Sequence, residues 1–501
     1  MNEKLRDLKI LLQDIYDLKS ASALMFWDQS TYMPPGGAKA RARQMALLAR
    51  LTQEKSTDPA LGRLIDAVEP YAASLPYDSD EASLVRISRN DYERAIKVPS
   101  AFIAEMEAHY SEIYQVWTEA FYQSDFQRLQ PLLEKTLELS RKYAAYYPGY
   151  EHIVDPLIDL VDPGMTVASL KNIFQELRRQ IVPLVKAVLA QPPLDYGCLH
   201  QRISAEKQIA FGARVAKLIG YDFQRGRQDK THHPFQCTIT ADDIRITTRT
   251  IEDRLDDCLY SSIHEAGHAM YELGICSEYE GTPLALNLSA GMHESQSRLW
   301  ENLIGRSRGF VQFLFPLVQR TFPRQFGATS PEAFYRAINK VKRTPIRLEA
   351  DELTYDLHIM IRFDLEIDML EGKLSIRDLP EAWRERYQAD LGISPVDDRQ
   401  GVLQDVHWYS GLLGGAFQCY TLGNIFNAIF FNAALKTHPD IPQQIEQGEF
   451  TTLNKWLVQN IYRHGRKYSS LEIIQRISGG SITLEPYINY LRAKFGELYN
   501  L

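Results

Sequence analysis

The chain has 501 residues, 45% of them hydrophobic, with 56 Lys and Arg against 64 Asp and Glu for a formal net charge of −8. That length and apolar content allow a large buried core, and an acidic balance without a basic block argues against nucleic acid or an anionic membrane surface as a partner. The start, Met1-Asn2-Glu3-Lys4-Leu5-Arg6-Asp7, is charged and amphipathic, no run of eighteen apolar residues follows, and Cys198, Cys237, Cys258, Cys276 and Cys419 lack paired zinc-type spacing, so a cytoplasmic protein with free thiols is expected.

Helical periods dominate. Leu5, Leu8, Leu12 and Ile15 mark one face, Met45, Leu48 and Leu51 a second, and Leu61, Leu64 and Val68 a third, with a break at Pro34-Pro35-Gly36-Gly37. A second break at Gln191-Pro192-Pro193 precedes a helical run from Ala205 to Ile219. Strand signals follow in Cys237–Thr248, two β-branched alternating pieces about a turn at Ala241-Asp242-Asp243. Leu255, Leu259, Ile263, Met270 and Leu273 then recur at helical spacing, and Leu284–Leu288 is a candidate third strand. A small sheet there would offer an edge for an extended peptide. A Gly-containing turn at Ser289-Ala290-Gly291 opens the amphipathic stretch Glu294–Gly305. Ser330-Pro331-Glu332 has the order of a helix start, another helix is expected near Pro345, and Tyr355, His358 and Arg362 fall along one face. Near the C-terminus, Gln404-Asp405-Val406-His407-Trp408 precedes a glycine-bearing loop, Gly411–Tyr420, and a hydrophobic helix from Leu422 to Leu435. No linker, low-complexity run or repeat interrupts the chain, so the fold class is mainly α: one large helical body over residues 1–501 with a small sheet.

The most informative segment is His264-Glu265-Ala266-Gly267-His268. On a helix, positions i and i+4 share a face, so both imidazoles can reach one metal while the carboxylate between them addresses a water. Zn²⁺ lowers the pKa of its water from about 15.7 to about 7, and the carboxylate takes the proton as that water attacks a polarised carbonyl. A third protein ligand is required. The continuation H-x-x-G-x-x-H is excluded, because Tyr271 and Gly274 stand where its Gly and His would be. Glu272, Glu278, Glu280, Glu294 and Glu301 are in range. Glu272 lies about 6 Å further along the same helix axis, an awkward place from which to complete a tetrahedron. Glu294 is preferred, because its own amphipathic stretch could present it as an antiparallel helix.

Read together, the pieces carry a resemblance. His233-Pro234-Phe235, Asp243-Ile244-Arg245-Ile246-Thr247, the HEAGH segment, His293-Glu294-Ser295-Gln296, Ile346-Arg347-Leu348-Glu349-Ala350-Asp351 and Gly401-Val402-Leu403-Gln404-Asp405-Val406-His407-Trp408 resemble, in order and spacing, the carboxypeptidase Taq family of metallocarboxypeptidases. So does Trp27-Asp28-Gln29 with Tyr32-Met33-Pro34-Pro35-Gly36-Gly37. The resemblance spans nearly the whole chain. It implies a two-lobed helical body with a deep cleft, related to neurolysin-like and angiotensin-converting-enzyme-like peptidases, commonly a homodimer, that removes single C-terminal residues from peptides. It further implies His264, His268 and Glu294 as metal ligands, Glu265 as general base and a substrate contact from His233. Zn²⁺ is the expected metal, with Co²⁺ or another divalent ion as the alternative. Residues 1–230 would form a largely helical N-terminal part, and 231–501 the metal- and substrate-binding part, of a single catalytic unit.

An enzyme that cuts beside a free C-terminus needs a fixed cation for the terminal carboxylate, and a guanidinium suits it through bidentate pairing. The resemblance makes Arg347, in its Ile346–Asp351 motif, the expected anchor, its bland alternative being an ion pair with Glu349 or Asp351, while Arg245 is expected to serve nearby carboxylates. The tetrahedral oxyanion also needs a donor, and His407 and Tyr420 are the candidates. Here the chain departs from the resemblance: where many relatives read Gly-Tyr-Phe-Pro-Thr-Tyr, it reads Gly415-Ala416-Phe417-Gln418-Cys419-Tyr420. Two other functions compete, a neurolysin-like oligopeptidase and a peptide-binding protein that has lost turnover.

Overall fold

A computed structural model describes residues 3–501. The chain is mainly helical, and its long N-terminal helix, Glu3–Thr31, buries the face formed by Leu5, Leu8, Leu12 and Ile15. That face packs on Leu61, Ile65 and Val68 from Pro59–Ala73 and on Leu84 and Val85 from Asp80–Lys97, forming a small core of its own that Ile275, Tyr279 and Leu284 complete. Helix Ala38–Ser56 buries no side chain fully, and its Met45, Leu48 and Leu51 are half-covered. The main core runs from Val98 to Tyr499.

The sheet has three strands, β1 (Gln228–Lys230), β2 (Gln236–Thr240) and β3 (Asp243–Thr248), in the order β1-β3-β2. β2 and β3 are the antiparallel hairpin expected from the alternation, with Cys237 opposite Arg245, whereas β1 pairs parallel with β3. The third strand is therefore Gln228–Lys230 and not Leu284–Leu288. Pro283–Ala285 is instead a 3₁₀ turn, which Thr282 opens by accepting a hydrogen bond from the N–H of Leu284. Proline cannot donate to a ladder, and Leu284 is drawn into the N-terminal core. Thr248 at the end of β3 exchanges hydroxyl hydrogen bonds with Ser261 (2.6 Å) and Ser262 (3.2 Å), which fastens the sheet to the helix that carries HEAGH.

Other boundaries follow local chemistry. Ser330 caps Pro331–Ile338 as expected, and the run from Ala205 to Ile219 is one helix. Near Pro345 there is only a 3₁₀ turn, Arg347–Glu349, and the helix begins at Tyr355. Asp351 is the reason: its Oδ1 accepts the N–H groups of Leu353 and Thr354, a local alternative to helical pairing. Gly291 lies in the first turn of helix Ala290–Arg298, not in a turn before it, and the hydrophobic C-terminal helix spans Gln418–Thr437, taking in Tyr420. Among the described residues no helix is long and apolar enough to cross a membrane, and all five cysteines are free.

Candidate metal centre

Helix Leu255–Leu273 presents His264 and His268 on one face, their ring centroids 4.9 Å apart. Its other faces are fixed by Leu255, Leu259, Ile263 and Ala266, all at most 1% exposed, and each fully buried aliphatic side chain of leucine size stabilises by about 1.5–3 kcal/mol. The second helix, Ala290–Arg298, starts at Ser289, whose hydroxyl accepts the N–H of Met292. It crosses the first at Gly267, where a Cβ would stand 2.8 Å from the carbonyl oxygen of Gln296. On its other side a Cβ at Gly423, in helix Gln418–Thr437, would stand 2.8 Å from Cγ of Glu294. Two glycines thus let three helices close around Glu294.

Oε2 of Glu294 comes to 3.9 Å from Nε2 of His264 and 3.4 Å from Nε2 of His268, and the three candidate ligand atoms lie within 4.8 Å of one another. Two imidazole nitrogens and one carboxylate oxygen, all on partly buried side chains, are a donor set that suits a divalent transition metal. Two of the three ligand side chains are also held through the atom turned away from the cluster. Nδ1 of His264 lies 2.8 Å from Oε2 of Glu301, and Oε1 of Glu294 accepts from Nε of Arg298 at 2.7 Å. His293 stacks on His268 at 4.2 Å and pairs with Glu272 at 3.1 Å.

Glu301 owes its place to a π-helical turn, Leu299–Ile304, that continues the Glu294 helix. Arg298, three residues before Glu301, and Arg306, five residues after it, both reach its carboxylate, at 3.4 and 3.3 Å. The second contact spans one π turn. Burial alone would raise the carboxyls of Glu294 and Glu301, but Arg298 and His264 hold both well below the usual range. Burial would lower His264, yet Glu294 and Glu301 raise it; burial pushes His268 down to about 3, with the neighbouring His293 adding to the fall, so that its imidazole is neutral. Glu265, 6% exposed, is pushed up to about 7 by burial, with Glu294 and Glu301 adding to the rise and His264 opposing it.

Comparison with known proteins decides the identity of this arrangement. The sequence profile of the Carboxypeptidase Taq (M32) metallopeptidase family matches residues 7–495. The chain belongs to this family. It is 38% identical over 492 residues to Thermostable carboxypeptidase 1 of Thermus thermophilus, covering 96% of each chain, and 37% identical to Carboxypeptidase 1 of Bacillus subtilis, covering 98% of each. The crystal structure of the M32 carboxypeptidase from Deinococcus radiodurans R1 superimposes with a TM-score of 0.97 at 45% identity, over the full length of both chains. The chain is a metallocarboxypeptidase, and neither the oligopeptidase nor the peptide binder is favoured.

In this carboxypeptidase Arg347 is 4% exposed and pairs with Asp405, 58 residues on, rather than with Glu349 or Asp351. Nε and Nη2 donate to Oδ1 of Asp405 at 2.9 and 2.7 Å, and Nη1 donates to the Tyr355 hydroxyl at 2.9 Å. Asp405 also receives Nε of Arg362 at 2.5 Å, so two guanidinium groups share one carboxylate. Tyr420 lies beside Arg347, whose guanidinium carbon is 5.2 Å from its ring, and its hydroxyl is 3.1 Å from Nε2 of His407. His407 is driven down to about 4 by burial and by Arg347, with His233 a further opposing charge. His233 itself is exposed on the β1–β2 loop. Arg245 forms a two-bonded pair with Asp243 and stands over Trp27 at 4.3 Å, the supporting role expected of it.

Sequence reasoning missed the residues that join these parts. The Arg298 guanidinium sits 4.3 Å from the Tyr355 ring centroid, so Glu294, Arg298, Tyr355, Arg347 and Asp405 form one continuous path. Glu272 and Glu301 were in range as ligands; they serve as partners of His293 and His264 instead. Glu278 and Glu280 are exposed. The only sequence signal for Arg298 and Glu301 was their spacing of four and seven from Glu294, which marks one helix face.

Proposed function

We propose that residues 1–501 form one cytoplasmic, zinc-dependent catalytic unit, a homodimer in solution, that releases single C-terminal amino acids from peptides with a free C-terminus. Co²⁺ or another divalent ion could replace zinc in the same donor set. His264, His268 and Glu294 hold the metal, Glu265 is the general base, Arg347 anchors the terminal carboxylate, His407 and Tyr420 serve the oxyanion, and His233 touches substrate. The observation that carries this reading is the charge count at Arg347. Two guanidiniums meet one carboxylate, and Arg347 engages three of its five N–H groups, the other two carrying no hydrogen bond among the described residues. A carboxylate is the group that this surplus of charge and donors fits.

When bound, the metal acts as a Lewis acid that acidifies a water and polarises the scissile carbonyl. Glu265 accepts the proton from that water as it attacks and then gives it to the leaving amine. Burial keeps the Tyr420 hydroxyl protonated. The Tyr420 hydroxyl and Nε2 of His407 share one hydrogen bond at 3.1 Å, and a preorganised donor from this pair to the developing oxyanion is worth about 3 kcal/mol. Arg347 fixes the terminal carboxylate so that the last peptide bond, and no other, is presented to Glu265.

The Glu265→Gln variant tests the assignment. It keeps shape and leaves the ligands alone, so zinc content should match the parent while turnover falls by about 10²–10⁴. Full turnover with metal bound would contradict the role of Glu265.

A further inference from the structure

Among the buried carboxylates that the reaction does not use, Asp162 is hydrogen-bonded to two of the helices that build the site. Asp162 follows helix Asp155–Val161, is 2% exposed, and lies where three pieces of chain meet. Its Oδ1 accepts the backbone N–H of Gly291 at 2.7 Å, in the first turn of the Glu294 helix. Its Oδ2 accepts Nε2 of Gln418 at 2.9 Å, the first residue of the Tyr420 helix, and the same amide nitrogen donates to the carbonyl of Gly415 at 2.8 Å. The approach is close on both sides. A Cβ at Gly291 would stand 2.8 Å from Oδ1 of Asp162, and one at Gly415 would stand 2.4 Å from the carbonyl oxygen of Leu157. The groups that hold Asp162 are neutral donors, and burial pushes its carboxyl up to about 6, so at neutral pH an anion sits at two helix starts, where the peptide dipoles favour it.

We propose that Asp162 is a positioning residue: by tying the first turns of the Glu294 and Tyr420 helices to one carboxylate, it sets where Glu294 stands relative to Tyr420. Glu294 is three residues beyond Gly291 and Tyr420 two beyond Gln418, so a shift at either bond moves the side chain that follows by a similar amount. The two helices already touch at Gly423, which leaves no slack for compensation. The side-chain amide of Gln418 supplies one arm of the clamp.

The inference rests on the proposed role of Tyr420, and the test separates the two. In the full-length, metal-saturated enzyme, kcat and KM are measured on an N-blocked tripeptide with a free C-terminus for Gln418→Met, Tyr420→Phe and the double variant. Zinc affinity is measured by chelator competition for Asp162→Asn. Gln418→Met keeps length and removes the N–H; kcat should fall about tenfold with KM within twofold, and its effect should largely vanish in the Tyr420→Phe background. Asp162→Asn exchanges a charge-assisted bond to Gly291 for a neutral one, and zinc affinity should fall about fivefold. Unchanged kcat in Gln418→Met while Tyr420→Phe is slow would overturn the clamp and leave the role of Tyr420 standing, even if the thermal midpoint drops. If Tyr420→Phe turns over normally, the role of Tyr420 fails. The clamp is then judged on Asp162→Asn alone, and unchanged zinc affinity overturns it.

Discussion

Glu301 lies 2.8 Å from Nδ1 of His264 and is held from both sides by Arg298 and Arg306. A carboxylate in that position fixes the tautomer of the imidazole, so that Nε2 offers its lone pair to the metal. Glu301→Gln keeps one acceptor but discards the charge. Zinc affinity in chelator competition should fall by about 10–100-fold, and activity should return when zinc is raised to saturation. Affinity equal to the parent's would mean that Glu301 only neutralises the arginines.

Arg347 should behave as a substrate residue rather than a structural one. Arg347→Lys keeps a positive charge near Asp405 and loses the fork that pairs with a carboxylate. Its kcat/KM on a free peptide should fall by at least about 30-fold, an effect on the order of 2 kcal/mol, with zinc content unchanged. A comparable loss in zinc content would assign Arg347 to the scaffold that leads through Tyr355 to Arg298.

Glu366 supplies a pH dependence away from the metal. Its carboxylate accepts Nε1 of Trp408 at 2.8 Å, and burial pushes its carboxyl from 4.5 up to about 7. The folded state therefore keeps a proton that the unfolded chain has released between those values. The resulting stabilisation is fully present below about 4.5 and is lost as pH rises through about 7. Glu366→Gln removes the ionisable group and keeps an acceptor for Trp408. In chelator-treated protein its thermal midpoint should exceed the parent's by a few degrees at pH 8, with the gap closing at pH 5. A gap independent of pH would remove Glu366 as the cause.

The metal cluster was legible because its chemistry is local. HEAGH places His264, Glu265 and His268 within five residues, and the amphipathic stretch that begins at Glu294 marked the third member of the cluster as the preferred candidate. The helix faces at Leu5–Ile15 and Ala205–Ile219 were legible for the same reason, since period reports burial. What could not be read was pairing across long separations. Asp405 meets Arg347 over 58 residues, and Asp162 meets Gln418 over 256. Charge alone does not single out such partners. The three-residue strand Gln228–Lys230 was invisible because it is too short to show alternation and owes its conformation to β3. The helix expected near Pro345 failed at Asp351, where side-chain acceptance of two backbone N–H groups outweighed helical spacing.

The most direct test is mass spectrometry of one model peptide in two forms, with a free or an amidated C-terminus, incubated with zinc-loaded and with chelator-treated enzyme. A zinc-dependent ladder of single-residue losses from the free peptide, with the amidated one intact, is the predicted result. Internal cuts in both forms, or a ladder that survives removal of the metal, would contradict the account.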